Sequence, residues 1–183
     1  MKNNLFIISG PSGAGEDSII NGLRQRFPIE IVTTTTTRPK RENESEGNPY
    51  YFIGKEEFQA GIEKNRFFEY ACQYNNHLYG VTNQEINRVK NSGKVGIWKI
   101  EYQGVIQAKQ KIPDIIAILI TAPLEQLKNR LKKRGGMPDK VIKERMEYTQ
   151  KFLENRDIYD YEVVNKNGKL EKSIEKTANI IKE

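Results

Sequence analysis

The chain has 183 residues, a length typical of a single domain with at most a small inserted lobe. Lysine and arginine exceed aspartate and glutamate by six, and the pI of about 9.2 favours anionic partners such as nucleotides, nucleic acid or acidic surfaces. The single cysteine, Cys72, excludes an internal disulfide framework, and no apolar run is long enough for a membrane span, so we expect a soluble cytoplasmic protein.

The first part of the chain predicts two strands, a helix and an insertion. A short buried strand, NNLFIIS, is followed by a glycine-rich turn and by the helix DSIINGLRQRF, whose apolar residues have helical spacing. A second short strand, IEIVT, leads into an irregular tract over about 34–80. This tract is rich in Thr, Tyr, Asn and Arg and contains one amphipathic segment, KEEFQAGIEKNRFFEY. Its composition indicates an inserted lobe that carries a binding surface.

Beyond the insertion, helices and strands alternate. The predicted order is helix QEINRVKNSGK, strand VGIWKIE, helix VIQAKQKIP, strand IIAILIT, helices PLEQLKNRLKKRG and DKVIKERMEYTQKFLENRD, strand YEVVN and helix LEKSIEKTANIIKE. This alternation predicts an α/β fold whose mainly parallel β-sheet is covered by helices. We therefore expect one domain whose core comprises residues 1–33 and 81–183.

The turn after the first strand has the glycine spacing of a phosphate-binding loop. In GPSGAGEDS, Gly10 and Gly15 fit the pattern G-x-x-x-x-G-K-S/T, between a strand and a helix, where backbone N–H groups can bind phosphate. Lysine and a hydroxyl residue should follow, but the next residues are Glu16 and Asp17. These acids can equally be favoured by the positive end of the helix dipole, in which case they would fill the anion site of a non-catalytic protein.

Arginines form two groups along the chain. Arg38 and Arg41 flank a proline in TTRPKR, where guanidiniums on a stiffened loop are suited to bidentate capture of a phosphate. Arg130 and Arg134 lie one turn apart on a predicted helix, and Arg145 follows on the next helix, after GGMPD. The second group is typical of a mobile lid that closes on a transferring phosphoryl group. Each group could instead be an ordinary exposed basic surface.

Taken together, these motifs resemble those of the guanylate kinase family, whose members move a phosphoryl group from ATP to GMP. The resemblance covers nearly the whole chain, with order and spacing preserved, through GPSGAG, TTRPKR, EGNPYYFI, FFEYA, LYG, GKVGIWKIEYQG, RLKKRGG, KERM and YEVVN. It implies a P-loop kinase fold with a small mixed GMP-binding lobe over about 34–80 and a helical lid over about 125–148. It also implies ATP with Mg²⁺ and GMP, or dGMP, as substrates, with neither nucleic acid nor a membrane as a partner.

The resemblance assigns site residues by position. The residues expected at the ATP phosphates are Gly10, Ser12, Gly13, Ala14, Gly15, Glu16, Asp17 and Ser18. Those expected at GMP are Thr34, Arg38, Arg41, Tyr50, Glu69, Tyr79, Thr82 and Glu101, among which Glu69 would accept hydrogen bonds from the guanine edge. The expected lid arginines are Arg130, Arg134 and Arg145, and Asn165 is expected near the adenine.

The departures from the family pattern lead to a mechanistic hypothesis. Lys99 stands where the family has a carboxylate, and Val81 replaces a hydroxyl residue beside the base. An unpaired ammonium in an apolar strand is costly, so Lys99 should reach an anion at the carboxyl end of the strand, where open α/β sheets bind ligands. We expect Lys99 to act as a catalytic cation in place of the loop lysine, with Glu16 paired to it or near the metal. Asp17 would bind Mg²⁺, supported by Glu101.

Two other functions remain open on the sequence alone. A guanylate-kinase-like module could bind GMP or an acidic peptide through Arg38 and Arg41 without catalysing transfer. The net positive charge could also serve nucleic-acid binding, although no aromatic residues are interleaved with the basic helix to form a stacking platform.

Overall fold

The computed structural model describes residues 4–72, 76–133, 135–136 and 138–183. Its strands are β1 (Leu5–Ser9), β2 (Ile29–Ile31), β3 (Thr34–Thr36), β4 (Ser45–Glu46), β5 (Pro49–Phe52), β6 (Phe67–Cys72), β7 (Leu78–Thr82), β8 (Val95–Lys99), β9 (Ile116–Thr121) and β10 (Tyr161–Val164). Its helices are α1 (Glu16–Leu23), α2 (Lys55–Glu63), α3 (Asn83–Lys90), α4 (Tyr102–Lys111), α5 (Leu124–Lys133), α6 (Asp139–Glu154) and α7 (Leu170–Lys182). None of the described helices is long and apolar enough to cross a membrane.

The core is a five-stranded parallel sheet with the strand order β10-β9-β1-β8-β2. Strand β1 is apolar along its length because both of its faces are covered. Phe6 and Ile8 pack in the cluster that includes residues of α1 and α7, whereas Leu5 and Ile7 pack with residues of α3 and α4. Ile8 pairs in register with Lys99 at the end of β8. The glycine-rich loop and Lys99 therefore leave the sheet at the same edge.

The predicted insertion forms a second, mixed sheet with the strand order β4-β5-β3-β7-β6. The amphipathic segment KEEFQAGIEKNRFFEY is divided within this lobe, because helix α2 ends and strand β6 begins four residues later. Asn65 lies between them with a φ of 51°, a left-handed conformation that does not continue a helix. Alternation along β6 then buries Phe67 and Glu69 on one face of the sheet. The lobe also extends to Thr82, the last residue of β7.

Helix α4 attaches the edge of this second sheet to the core. The Gln107 side chain accepts a hydrogen bond from Tyr70 N at 3.3 Å and donates one to Tyr70 O at 2.8 Å. Lys111 Nζ donates to the Phe68 carbonyl, and the Phe68 ring packs against Trp98 of β8, with 5.7 Å between ring centroids. Strand β6 is therefore held on the same helix that follows β8 into the site.

Candidate active site

A cleft of about 610 Å³ lies at the carboxyl edge of the parallel sheet, between the core and the second lobe. Most of the residues predicted from the sequence line it. They are Gly10, Ser12, Glu16, Asp17, Thr34, Arg38, Arg41, Tyr50, Glu69, Tyr79, Lys99, Glu101 and Arg145. The fold thus brings the loop, Arg38 and Arg41, the acids Glu69 and Glu101, and Arg145 of α6 to a single cavity. Arg134 lies outside the described residues.

The glycine-rich loop has a backbone that requires two of its glycines. Gly15 is the N-terminal cap of α1 with a φ of 97°, in the left-handed region, and a Cβ there would lie 2.5 Å from Asn165 Nδ2. A Cβ on Gly10 would lie 2.3 Å from the Ile120 carbonyl oxygen. The loop therefore presses closely on β9 and on the end of β10. Its exit leads directly into the positive end of α1, where Glu16 and Asp17 form the first turn.

Arg130 and Asn165 support this loop from outside the cleft. Arg130 donates to the Gly13 carbonyl at 2.9 Å and to the Asn165 carbonyl at 2.7 Å. Asn165 Nδ2 donates to the Ala14 carbonyl at 2.8 Å, and its Oδ1 accepts a hydrogen bond from Ser173 at 3.3 Å. Neither side chain lines the cleft, although a phosphate contact was predicted for Arg130 and an adenine contact for Asn165. In this conformation both fix the shape of the loop instead.

Lys99 is directed to the start of α1. Its Nζ lies 2.6 Å from Asp17 Oδ1, so its ion-pair partner is Asp17, whereas the sequence hypothesis favoured Glu16. Burial acts to lower the pKa of Lys99, but Asp17, with further attraction from Glu16 and Tyr50, raises it above its ordinary value. The side chain of Asp17 is 75% exposed, so water screens the pair and a ligand can break it at little cost.

Lys99 lies between two regions of the cleft, the glycine-rich loop and the second lobe. Its electrostatic partners are the loop acids on one side and the Tyr50 phenol of the second lobe on the other. Tyr50 packs edge-on against Tyr79, with 5.9 Å between ring centroids. The ammonium thus stands between the phosphate-binding loop and the arginine-bearing lobe.

The two arginines of the second lobe are organised by an acid that sequence reasoning did not identify. Glu44 accepts a hydrogen bond from Arg38 at 2.7 Å and another from Arg41 N at 2.9 Å, and it raises the pKa of Arg38. Arg38 also lies 5.3 Å from the centroid of the Tyr50 ring, within range of a cation–π contact. No sequence feature distinguishes Glu44, because Glu42 and Glu46 lie in the same polar run after Arg41.

Glu69 is the most deeply buried acid of the cleft, with 4% of the residue exposed. Burial raises its pKa to about 8, and a backbone hydrogen bond from Val81 together with the distant charge of Lys111 only partly opposes this effect. The Val81 side chain is fully buried in the core. Thr82, predicted to contact GMP, does not line the cleft, because its hydroxyl caps α3 by accepting from Glu85 N at 3.2 Å.

Because Gly104 on α4 has no side chain, the Glu69 carboxyl can lie against this helix. A Cβ on Gly104 would lie 3.0 Å from Glu69 Oε2 and 3.2 Å from Ile100 Cδ1. We expect Gly104→Ala to displace the Glu69 carboxyl and to raise the KM for the nucleotide bound there by about tenfold, with a smaller effect on the KM for the other substrate. Steady-state kinetics would measure this change. Gly54→Ala is the matched control, because its Cβ would contact nothing within 4 Å; equal effects of the two variants would contradict the prediction.

A polar group where α6 borders the cleft consists of Glu101, Arg145 and Tyr148. Burial raises the pKa of Glu101, while the Tyr148 hydroxyl and the Arg145 charge act to lower it. Glu101 Oε2 and Arg145 Nε are both shielded from solvent and make no hydrogen bond within the described part of the chain. Tyr148 was not identified from the sequence, because nothing in the local pattern of α6 marks it.

The acids fit a magnesium ion only in combination with a nucleotide. No three His, Cys, Asp or Glu side chains among the described residues form a group that could hold a metal ion. Mg²⁺ commonly combines one or two carboxylates with substrate phosphates and water, and Asp17 presents an exposed carboxylate at the end of the loop. Glu101, predicted to support the metal, has Tyr148 and Arg145 as its neighbours.

A parallel sheet with a glycine-rich phosphate loop at its carboxyl edge, facing a lobe that carries arginines and a buried carboxyl, defines a P-loop nucleotide kinase. The sequence model described as guanylate kinase matches residues 2–183. With relatives more than 35% identical over most of its length, the chain belongs to the guanylate kinase family.

The similar proteins include curated enzymes and a solved structure. The guanylate kinase of Mycoplasma genitalium is 37% identical over 169 residues, which cover 90% of this chain and 70% of that protein. The guanylate kinase of Mycoplasmoides gallisepticum is 38% identical over 180 residues, which cover 97% and 91%. The structure of guanylate kinase from Anaplasma phagocytophilum matches with a TM-score of 0.72 at 24% identity, covering 97% of this chain and 84% of that one. The predicted family and fold class are confirmed.

Proposed function

We propose that the protein transfers the γ-phosphoryl group of ATP to GMP or dGMP and releases ADP and the corresponding guanosine diphosphate. The observation that carries this proposal is the convergence in one cleft of a phosphate loop, two lobe arginines and the buried acid Glu69. Guanine presents N–H donors on the edge that a carboxylate can read, whereas adenine lacks the N1–H donor. An inactive binding module is not favoured, because the relatives at this identity and coverage are guanylate kinases.

The two lobes divide the binding of the substrates. The glycine-rich loop and the first turn of α1 offer backbone N–H groups to the phosphates of ATP. Arg38 and Arg41, oriented by Glu44, would bind the phosphate of GMP together with Tyr50 and Tyr79. Glu69 would accept hydrogen bonds from guanine. This arrangement aligns a GMP phosphate oxygen with the γ-phosphorus, and positioning of this kind is the main catalytic device in phosphoryl transfer.

The cation that the loop lacks would come from Lys99. In the nucleotide-free protein its ammonium is paired with Asp17 at the end of the loop. Magnesium bound with ATP neutralises charge on the transferring group, and Asp17 would hold it together with the phosphates. Loss of the pair with Asp17 would free Lys99 to reach the phosphates between the loop and Tyr50. Arg145, which also lines the cleft, would stabilise the same charge from the lid side.

A coupled assay of ADP formation tests the proposal. We expect turnover with ATP, Mg²⁺ and GMP or dGMP, and at least a hundredfold lower kcat/KM with AMP, CMP or UMP. Arg38→Met should raise the KM for GMP more than tenfold, because it removes a bidentate phosphate contact. Lys140→Met, on the exposed surface of α6, is the control for loss of positive charge. Absence of ADP formation with every monophosphate would refute the enzyme assignment.

A further inference from the structure

Tyr148 occupies a place in the cleft to which the proposed mechanism gives no role. It lies one turn after Arg145 on α6, so the two side chains share a helix face. Its ring packs against Tyr102 of α4 and Phe152 of α6, with 5.8 Å between centroids in both cases. The ring is thus fixed by aromatic neighbours on two helices. Its hydroxyl is directed to Glu101, whose carboxyl it influences electrostatically.

Glu101 is placed to face a ligand and not to cap its own helix. It is the N-terminal cap residue of α4, yet its side chain makes no capping hydrogen bond. Oxygen Oε2 is shielded from solvent and has no hydrogen-bond partner in the residues that the structure describes. A buried acceptor left in this state costs free energy unless a bound molecule supplies a donor.

The residues beside Glu101 in the cleft indicate which kind of hydrogen-bond donor a bound molecule would present to it. Gly104 lies one turn after Glu101 on α4, and Glu69 Oε2 lies against Gly104. Glu69 and Glu101 therefore both line the cleft near Gly104. Two adjacent acceptors match a ring edge with two adjacent N–H donors, and guanine presents N1–H and its 2-amino group in this way.

We propose that Tyr148 is a positioning residue that holds the Glu101 carboxylate against the 2-amino edge of guanine, so that the lid helix contributes to the choice of base. This inference rests on the proposed phosphorylation of GMP. With GMP bound, the Tyr148 hydroxyl would donate to one oxygen of the Glu101 carboxylate and leave the other for the base. Because Tyr148 and Arg145 share α6, binding of the base edge and placement of the lid arginine depend on the same helix.

The charge of Glu101 provides a second readout. The groups that face it are Arg145 and Tyr148 from α6, Tyr102 from α4, and Tyr159, which follows the 3-10 turn at Arg156–Ile158. Burial raises the pKa of Glu101, and Tyr148 opposes that effect. Removal of the hydroxyl should therefore raise the pKa of Glu101 further, a shift that NMR titration of its carboxyl carbon would measure separately from the titration of Glu69.

The experiment compares GMP with inosine monophosphate, which lacks the 2-amino group. Tyr148→Phe should lower kcat/KM for GMP by about tenfold, while that for inosine monophosphate changes less than threefold. Glu101→Gln should lower the preference for GMP in the same way, and the double variant should be no more selective than Glu101→Gln alone. Tyr102→Phe removes a hydroxyl from the same aromatic cluster but from outside the cleft, and should leave both the preference and the pKa of Glu101 unchanged.

Calorimetric titration of the protein with GMP and with inosine monophosphate tests this inference independently of the enzyme assignment. If the wild-type protein binds GMP more tightly than inosine monophosphate but forms no ADP, the proposed function fails while the binding preference still tests Tyr148. If Tyr148→Phe retains the wild-type preference and the wild-type pKa of Glu101, or if its effect multiplies fully with that of Glu101→Gln, the positioning role is overturned. Unchanged thermal unfolding of the variants excludes a general loss of structure.

Discussion

Replacement of Lys99 by methionine is expected to lower kcat for GMP phosphorylation by at least about thirtyfold. A unit charge about 4 Å from a phosphate is worth about 4 kcal/mol at an effective dielectric constant of about 20, which corresponds to about a thousandfold in rate. The Lys99 side chain is 39% exposed, so we discount this energy by about half. Lys99→Arg keeps the charge and should lose much less activity than Lys99→Met. A Lys99→Met variant with wild-type kcat would refute the role of this cation.

Exchanging the charges of Glu16 and Lys99 tests the role of the Lys99 cation more directly. Glu16→Lys with Lys99→Asp restores a lysine in the loop and a carboxylate at the end of β8, the arrangement typical of the resembled family. Lys99→Asp alone leaves three acids beside the phosphates and should be the least active of the series. The double variant should recover at least tenfold over it. No recovery would mean that the two positions do not serve the same phosphate charge.

The second large effect concerns the proton on Glu69. The folded protein retains that proton up to a pKa of about 8, whereas the unfolded chain releases it near the ordinary value of 4.5. Between these two values the unfolded state binds fewer protons, so the free energy of unfolding falls as the pH rises. The expected loss is about 2.5 kcal/mol between pH 5.5 and 7.5. Denaturant titrations would measure the free energy of unfolding of wild type and of Glu69→Gln across this pH range. The difference between the two values should change with pH by this amount.

Binding of GMP should compete with binding of this proton to Glu69. A carboxylate accepts the guanine N–H donors, so at pH 7 binding should release close to one proton and should tighten as the pH rises toward 8. Calorimetry in two buffers of different ionisation enthalpy measures the release. Glu69→Gln should release no proton and should bind GMP about a hundredfold more weakly. Proton release unchanged in Glu69→Gln would assign the titration to another group.

The sequence predicted the class of fold because the apolar runs are short, continuous and separated by helical patterns, as buried parallel strands require. It also predicted that the glycine-rich loop and Lys99 lie close together, since strands β1 and β8 must end at one edge of a parallel sheet. It did not predict the direction in which individual side chains point. Arg130 was expected at the phosphates but bonds to the back of the loop, and Thr82 was expected at GMP but caps α3.

The remaining differences arise from contacts between residues that are distant in the chain. Glu101 and Tyr148 are separated in the chain by α4, β9 and α5, and no periodicity in either segment predicts that they lie close together. The choice of Asp17 over Glu16 as the partner of Lys99 depends on the direction in which each side chain leaves the first turn of α1. Opposite charges in the sequence predicted that a pair forms but not which acid supplies it.

The attachment of β6 to α4 has a consequence for association between molecules. An unpaired edge strand exposes a row of backbone donors and acceptors that can pair with another chain. Here Gln107 bonds to both backbone groups of Tyr70, and Lys111 covers the Phe68 carbonyl. These two side chains act as a partial sixth strand and place a positive charge on the edge. They protect the substrate-binding lobe against strand addition and aggregation at the side where it would otherwise be exposed.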